Sequence, residues 1–163
     1  MTYAYMPGPE QPNTEIRNIK GQAIAGCAIG ILVLDLWYPY MPGNVANAST
    51  YKFPVLFKIL KGTTVPMILN ADPALLKMII DGGNELAQQG VRAIVGACGY
   101  FGHFQKEASK KLKVPTFLSS VLQAPIIIRA LKPNQKLGII CGSGPHAESA
   151  DPVRRGRPLP RHH

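Results

Sequence analysis

The sequence predicts an α/β fold: an open parallel sheet flanked by helices on the doubly wound plan. Three observations predict it. Apolar, β-rich runs recur along the chain, helical runs with start and stop signals separate them, and turn-forming residues stand at the joins. Strands alternating with helices of this length imply right-handed β-α-β crossovers, and such crossovers make neighbouring strands parallel.

The elements follow in order. Residues 1–21 hold three prolines and no periodic apolar pattern, so they read as an irregular N-terminal arm. An α/β domain then spans 22–143. "AIGILVLD" (28–35) is a continuous apolar run, the pattern of a strand buried on both faces. "YPYMPGNVANAST" (38–50) is dense in turn residues and reads as a loop. "FPVLFKILKG" (53–62) predicts a second strand. Asp72 before Pro73 is an N-cap followed by a first-turn proline. Leu75, Leu76, Ile79, Ile80 and Leu86 recur at helical spacing until Gly90 stops the run. A strand at 91–97, a helix at 103–112, a strand at 114–120, a helix at 120–131 and a strand at 136–142 complete the alternation. From Gly144 the composition changes to four prolines and four arginines without apolar periodicity. This basic tail, 144–163, reads either as a natural disordered extension or as a frameshift artefact.

Composition narrows the function classes. At 163 residues the chain is long enough to bury one core. The longest apolar stretch, 23–36, is short and broken by Asp35, so no membrane span is expected. "IAGC" (24–27) precedes the apolar run, where a lipoprotein cleavage box would follow it, and the start lacks a signal-peptide plan. The three cysteines, Cys27, Cys98 and Cys141, are odd in number and widely spaced, which suits free thiols in a reducing cytoplasm and gives no zinc motif. The formal charge is +9, with lysines clustered at 106, 110, 111 and 113. Few aromatics interleave with them, so a solvated helix face is preferred to a nucleic-acid surface. "GQAIAGCAIG" (21–30) follows no strand and lacks the dinucleotide-binding glycine spacing.

"VRAIVGACGYFGHF" (91–104) carries the chemistry. Ligands of open α/β sheets bind beyond the carboxyl ends of the strands, and Cys98 stands at such an end. A helix start just after it offers free N–H groups that favour a thiolate and attract a carboxylate. Gly99 and Gly102 let backbone amides approach a small anion. The expectation is therefore that Cys98 is the most acidic of the three thiols. The alternative is an inert cysteine in the core. His103 either assists the thiol or is a partly exposed helix residue. Asp35 either orients the site loop or caps a turn, and Trp37 and Tyr38 either shield the site or pack. His162 and His163 read as solvated.

Four stretches, "GILVLD" (30–35), "MPGNVANASTYKFPV" (41–55), "GVRAIVGACGYFGHFQ" (90–105) and "VPTFLSSVLQAPII" (114–127), stand in an order and spacing that resemble the first half of the aspartate/glutamate/hydantoin racemase superfamily. The resemblance implies a cofactor-independent isomerase in which one cysteine thiolate takes a proton alpha to a carboxylate and a second cysteine returns one on the opposite face. It places Cys98 as the catalytic thiolate and puts Asn44, Asn47, Gly99, Tyr100, Ser119 and Ser120 around a small carboxylate or amino-acid-like substrate. It implies no metal and no cofactor, and it allows a homodimer with no nucleic-acid or membrane partner. The sequence departs from the family at Ala97, where many relatives carry a hydroxyl residue, and in lacking a match to the second cysteine. Cys141 falls inside what reads as the first strand of a second half. The chain alone is then expected to be impaired as a racemase. A one-cysteine relative, such as a maleate isomerase or arylmalonate decarboxylase, and a non-catalytic carboxylate-binding remnant are the alternatives.

Overall fold

The computed structural model describes residues 24–142, so the expected N-terminal arm and the basic tail lie outside the described residues. Four strands form one open, all-parallel sheet: β1 (Ile29–Leu34), β2 (Val55–Leu60), β3 (Ala93–Gly96) and β4 (Thr116–Phe117), in the order β2-β1-β3-β4. β1 is central, with Ile31 opposite Phe57 on one side and Val95 on the other. Its near-continuous burial explains its unbroken apolar sequence, since a central parallel strand is covered on both faces.

Between β2 and β3 the chain makes a short helix, α1 (Val65–Leu69), which the sequence reading did not separate from its surroundings, and then the long α2 (Pro73–Gln88). α2 starts as expected: the Asp72 carboxylate accepts the Ala74 N–H, and Pro73 occupies the first turn. Its apolar stripe of Leu75, Ile79 and Leu86 is fully buried against the sheet, and each such side chain contributes about 1.5–3 kcal/mol. Two glycines on α2 allow close packing. A Cβ on Gly82 would lie 3.0 Å from Leu60, and one on Gly83 would lie 2.5 Å from Leu112. The Lys58–Glu85 pair, 2.6 Å apart and partly exposed, adds a tie between β2 and α2.

After β3 the chain turns through a 3-10 segment, Gly99–Phe104, into α3 (Gln105–Lys111). The expected helix at 103–112 is thus two elements, tight at first and regular afterwards. Lys106, Lys110, Lys111 and Lys113 are exposed, consistent with a solvated face. The Gln105 carboxamide clips the sheet edge. Its Nε2 donates to the Thr116 carbonyl and its Oε1 accepts the Leu118 N–H, both at 2.9 Å. Another 3-10 segment, Ser120–Gln123, leads into α4 (Ala124–Ala130).

One expected strand is absent. Residues 136–142 are irregular, and Ile140 is fully exposed at 103%. A parallel strand needs a ladder beside it. The edges of the sheet are β2 and β4, and residues 136–142 pair with neither. The apolar run is real, but no partner satisfies it among the described residues. No helix among the described residues is long and apolar enough to cross a membrane.

Candidate active site

The sheet order creates the site. β1 leads to β2 on one side, and the next crossover returns to β3 on the other. The connections therefore part company at the carboxyl ends of β1 and β3, the place where ligands bind in open α/β sheets. A cavity of about 280 Å³ lies there. Val33, Leu34 and Leu36 line it from the β1 end, Ala97, Cys98 and Tyr100 from the β3 end, and Val65, Ile68 and Leu69 from α1. Tyr38, Tyr40 and Ala46 of the following loop and Gly142 complete the wall. No lining side chain is an Asp, Glu, Lys or Arg.

The end of β1 is braced to the turn after β2. The Asp35 N–H donates to the Thr63 hydroxyl at 2.8 Å, and Thr63 is only 3% exposed. The Asp35 carboxylate accepts the Gly62 N–H at 2.8 Å and the Trp37 indole N–H at 3.2 Å. Asp35 therefore caps the turn, one of its two expected roles. Trp37 is exposed and does not line the cavity, whereas Tyr38 does.

The loop after β1 uses its asparagines to hold itself. Asn44 Oδ1 accepts the Ala46 N–H at 2.8 Å. Asn47 Oδ1 accepts from both the N–H and the hydroxyl of Ser49, while its amide donates to the Tyr40 carbonyl at 2.7 Å. Both side chains were expected at the substrate, but neither lines the cavity, and these internal bonds occupy Oδ1 of Asn44 and both polar atoms of Asn47. Asn47 still bears on the site, because it fixes the backbone of Tyr40. Ser119 is buried and its hydroxyl accepts the Val121 N–H at 3.2 Å, capping the 3-10 turn. Ser120 is exposed, and Gly99 faces open space. Ser119, Ser120 and Gly99 are likewise absent from the lining. Of the expected residues, Cys98 and Tyr100 are brought together in the cavity.

Cys98 is free and half-buried, with backbone φ of -139° and ψ of 130°, the last extended residue before the 3-10 turn. Burial pushes its thiol up, above the ordinary value. The backbone amides of Tyr100 and Phe101 pull the other way but do not prevail. The Phe101 N–H is also directed at the Cys98 carbonyl, at 3.0 Å, which limits what it gives the sulfur. The expected acidic thiol is therefore corrected: the helix start is present, but desolvation outweighs it. His103 is buried at 8% exposure rather than partly exposed. Its ring stacks with that of Tyr100, centroids 6.1 Å apart and planes at 16°. Among the described residues no group of three or more His, Cys, Asp or Glu side chains could hold a metal ion.

Leu36 and Tyr40 were missed as wall residues. Leu36 lies just after β1 and Tyr40 in the turn-rich segment that follows, and no local pattern shows which side chains there fold back. Tyr40 is held by its hydroxyl, which donates to the Leu36 carbonyl at 2.9 Å, and its ring meets that of Tyr38 with centroids 4.1 Å apart.

Fold and site define a class: an open parallel α/β protein with a thiol at a strand's carboxyl end, facing a small cavity with a tyrosine-bearing wall. No family model matches the chain, and no solved structure does. Curated proteins do. The chain is 30% identical to dimethylsulfoniopropionate lyase 3 of Emiliania huxleyi (strain CCMP1516) over 129 residues, 78% of this chain and 33% of that protein. Dimethylsulfoniopropionate lyase 6 of the same organism matches at 30% identity with the same coverage. The dimethylsulfoniopropionate lyase of Durusdinium sp. clade D is 28% identical over 123 residues, 74% of this chain and 41% of the relative. The chain thus spans about a third of the length of the Emiliania relatives.

These relatives correct the family reading. They are named lyases, so the resemblance to aspartate/glutamate/hydantoin racemases, and the isomerase activity drawn from it, do not stand. The two alternatives considered beside it gain no support either. The physical reason is that the quoted stretches mark a thiol at a strand end beside tight glycine turns. That arrangement specifies where a base sits, not which bond breaks after it acts.

Proposed function

We propose that this chain carries the thiol site of a lyase acting on dimethylsulfoniopropionate or a closely similar β-sulfonio carboxylate, with Cys98 as the base. The observation that carries the reading is the Cys98 thiol in a small cavity at the topological switch point, in a chain whose relatives are named for that cleavage. The chemistry suits a single thiol. The Cys98 thiolate takes a proton from the carbon next to the carboxylate. The C–H electron pair becomes the carbon–carbon double bond, and the bond to the sulfonium breaks with its pair going to sulfur. The products are acrylate and neutral dimethyl sulfide, and the proton on Cys98 passes to water. Elimination needs a base on one face only, so the second, opposite-face cysteine that a racemase requires has no part in it.

Burial keeps Cys98 protonated, so little of the thiolate base is present until a positive charge arrives. The substrate brings one, and a cation in the same cavity favours the thiolate. The cavity is at the small end of ligand sites, which suits a compact substrate. Three free cysteines fit a reducing cytoplasm as the place of action.

The test is to incubate the chain with dimethylsulfoniopropionate and follow dimethyl sulfide in the headspace and acrylate in solution. Release above the uncatalysed rate is expected, falling about 10²–10⁴-fold in Cys98→Ser. Absence of release, or release that Cys98→Ser leaves unchanged, would overturn the reading.

A further inference from the structure

We infer that the rings of Tyr38, Tyr40 and Tyr100 form the seat of the substrate's sulfonium group. The inference rests on the proposed lyase reading and adds how the cation is recognised. All three tyrosines line the cavity that holds Cys98, and no carboxylate lines it to neutralise a positive charge. A trialkyl sulfonium carries no N–H, O–H or S–H, so hydrogen-bond acceptors cannot grip it as they grip an ammonium. Aromatic faces can, through the ring quadrupole, and their grip strengthens as water is excluded.

The rings are also held in place. Tyr40 is tied by its hydroxyl to the Leu36 carbonyl and by its own carbonyl to the Asn47 amide. The Tyr38 ring stands 4.1 Å from it, tilted by 42°. Tyr100 is backed by the buried His103 ring. Residues so anchored lose little further freedom when a ligand arrives. The wall also explains a cavity with tyrosines but no charged side chain: a zwitterion can enter with its cationic end on the rings.

The test compares binding of dimethylsulfoniopropionate with that of 4-methylpentanoate, which replaces the sulfonium by a neutral carbon of similar shape. Titration calorimetry on the whole chain should show the sulfonium bound roughly 5- to 30-fold more tightly, the range expected for a well-placed ring. Tyr100→Leu and Tyr40→Leu should each shrink that ratio, and Tyr100→Phe, which keeps the π face, should preserve it. The ratio is read within each variant, and the wild-type comparison needs no substitution. Equal binding of the two compounds while dimethyl sulfide is still released would overturn the aromatic seat and leave the lyase reading standing. Failure of both compounds to bind, with no dimethyl sulfide released, would overturn both.

Discussion

Gly96, at the end of β3, and Leu118, after β4, meet backbone to backbone. A Cβ at Gly96 would lie 2.3 Å from the Leu118 carbonyl oxygen and 2.7 Å from the Phe101 ring. Real side chains do not approach backbone that closely, so Gly96 lets the two strand ends close beside Cys98. Gly96→Ala should destabilise the fold by about 1–3 kcal/mol, as overpacking does, measured by urea unfolding. Gly99→Ala is the control. It meets nothing within 4 Å and should change stability far less.

Gln105 should prove a structural clip for the edge strand. Gln105→Ala removes both hydrogen bonds to the β4 region and exposes two backbone groups to water or leaves them unmet. A loss of about 1–3 kcal/mol is expected, with faster amide exchange at Leu118. Unchanged exchange there would show that β4 holds its place without the clip.

Thr63 should hold the cavity wall. Thr63→Val keeps the shape but strips the acceptor of the Asp35 N–H, costing about 1–3 kcal/mol in thermal or denaturant unfolding. Thr63→Ser keeps the hydroxyl and should recover most of the hydrogen-bond contribution. Equal losses in the two variants would point to the methyl group instead.

The Cys98 thiol should react late with iodoacetamide in the free protein. Its half-buried site pushes it above the ordinary value of 9.0, so alkylation should rise with pH with a midpoint above that value. The sign follows for stability. A raised folded value favours the protonated thiol in the native state. That contribution is complete below the ordinary thiol range and is lost as pH climbs from there through the folded value. Cys98→Ser should lack this alkaline loss in unfolding experiments. Labelling of Cys98 ahead of the exposed Cys141 near neutral pH would refute the burial argument.

Asp72→Ala should cost about 1 kcal/mol, measured by denaturant unfolding, by removing the acceptor of the Ala74 N–H at the start of α2.

By itself the sequence determined the features that depend on near neighbours. The unbroken apolar run of β1, the Asp72–Pro73 start of α2 and the spacing of Leu75, Ile79 and Leu86 each follow from local periodicity and capping, and together they define a parallel α/β sheet. The place of Cys98 at a strand's carboxyl end was legible for the same reason. What tertiary structure alone decided depends on residues distant in the chain. Asn44 and Asn47 look like ligand-binding side chains until the loop closes on them, and Leu36 and Tyr40 look like loop residues until they turn into the cavity. The run at 136–142 reads as a strand, yet a strand exists only where a neighbour supplies its ladder, and neither edge of the sheet pairs with it. The thiol's character reversed as well. Local sequence shows the amides that follow Cys98, whereas the desolvation that outweighs them comes from the side chains the fold packs around it.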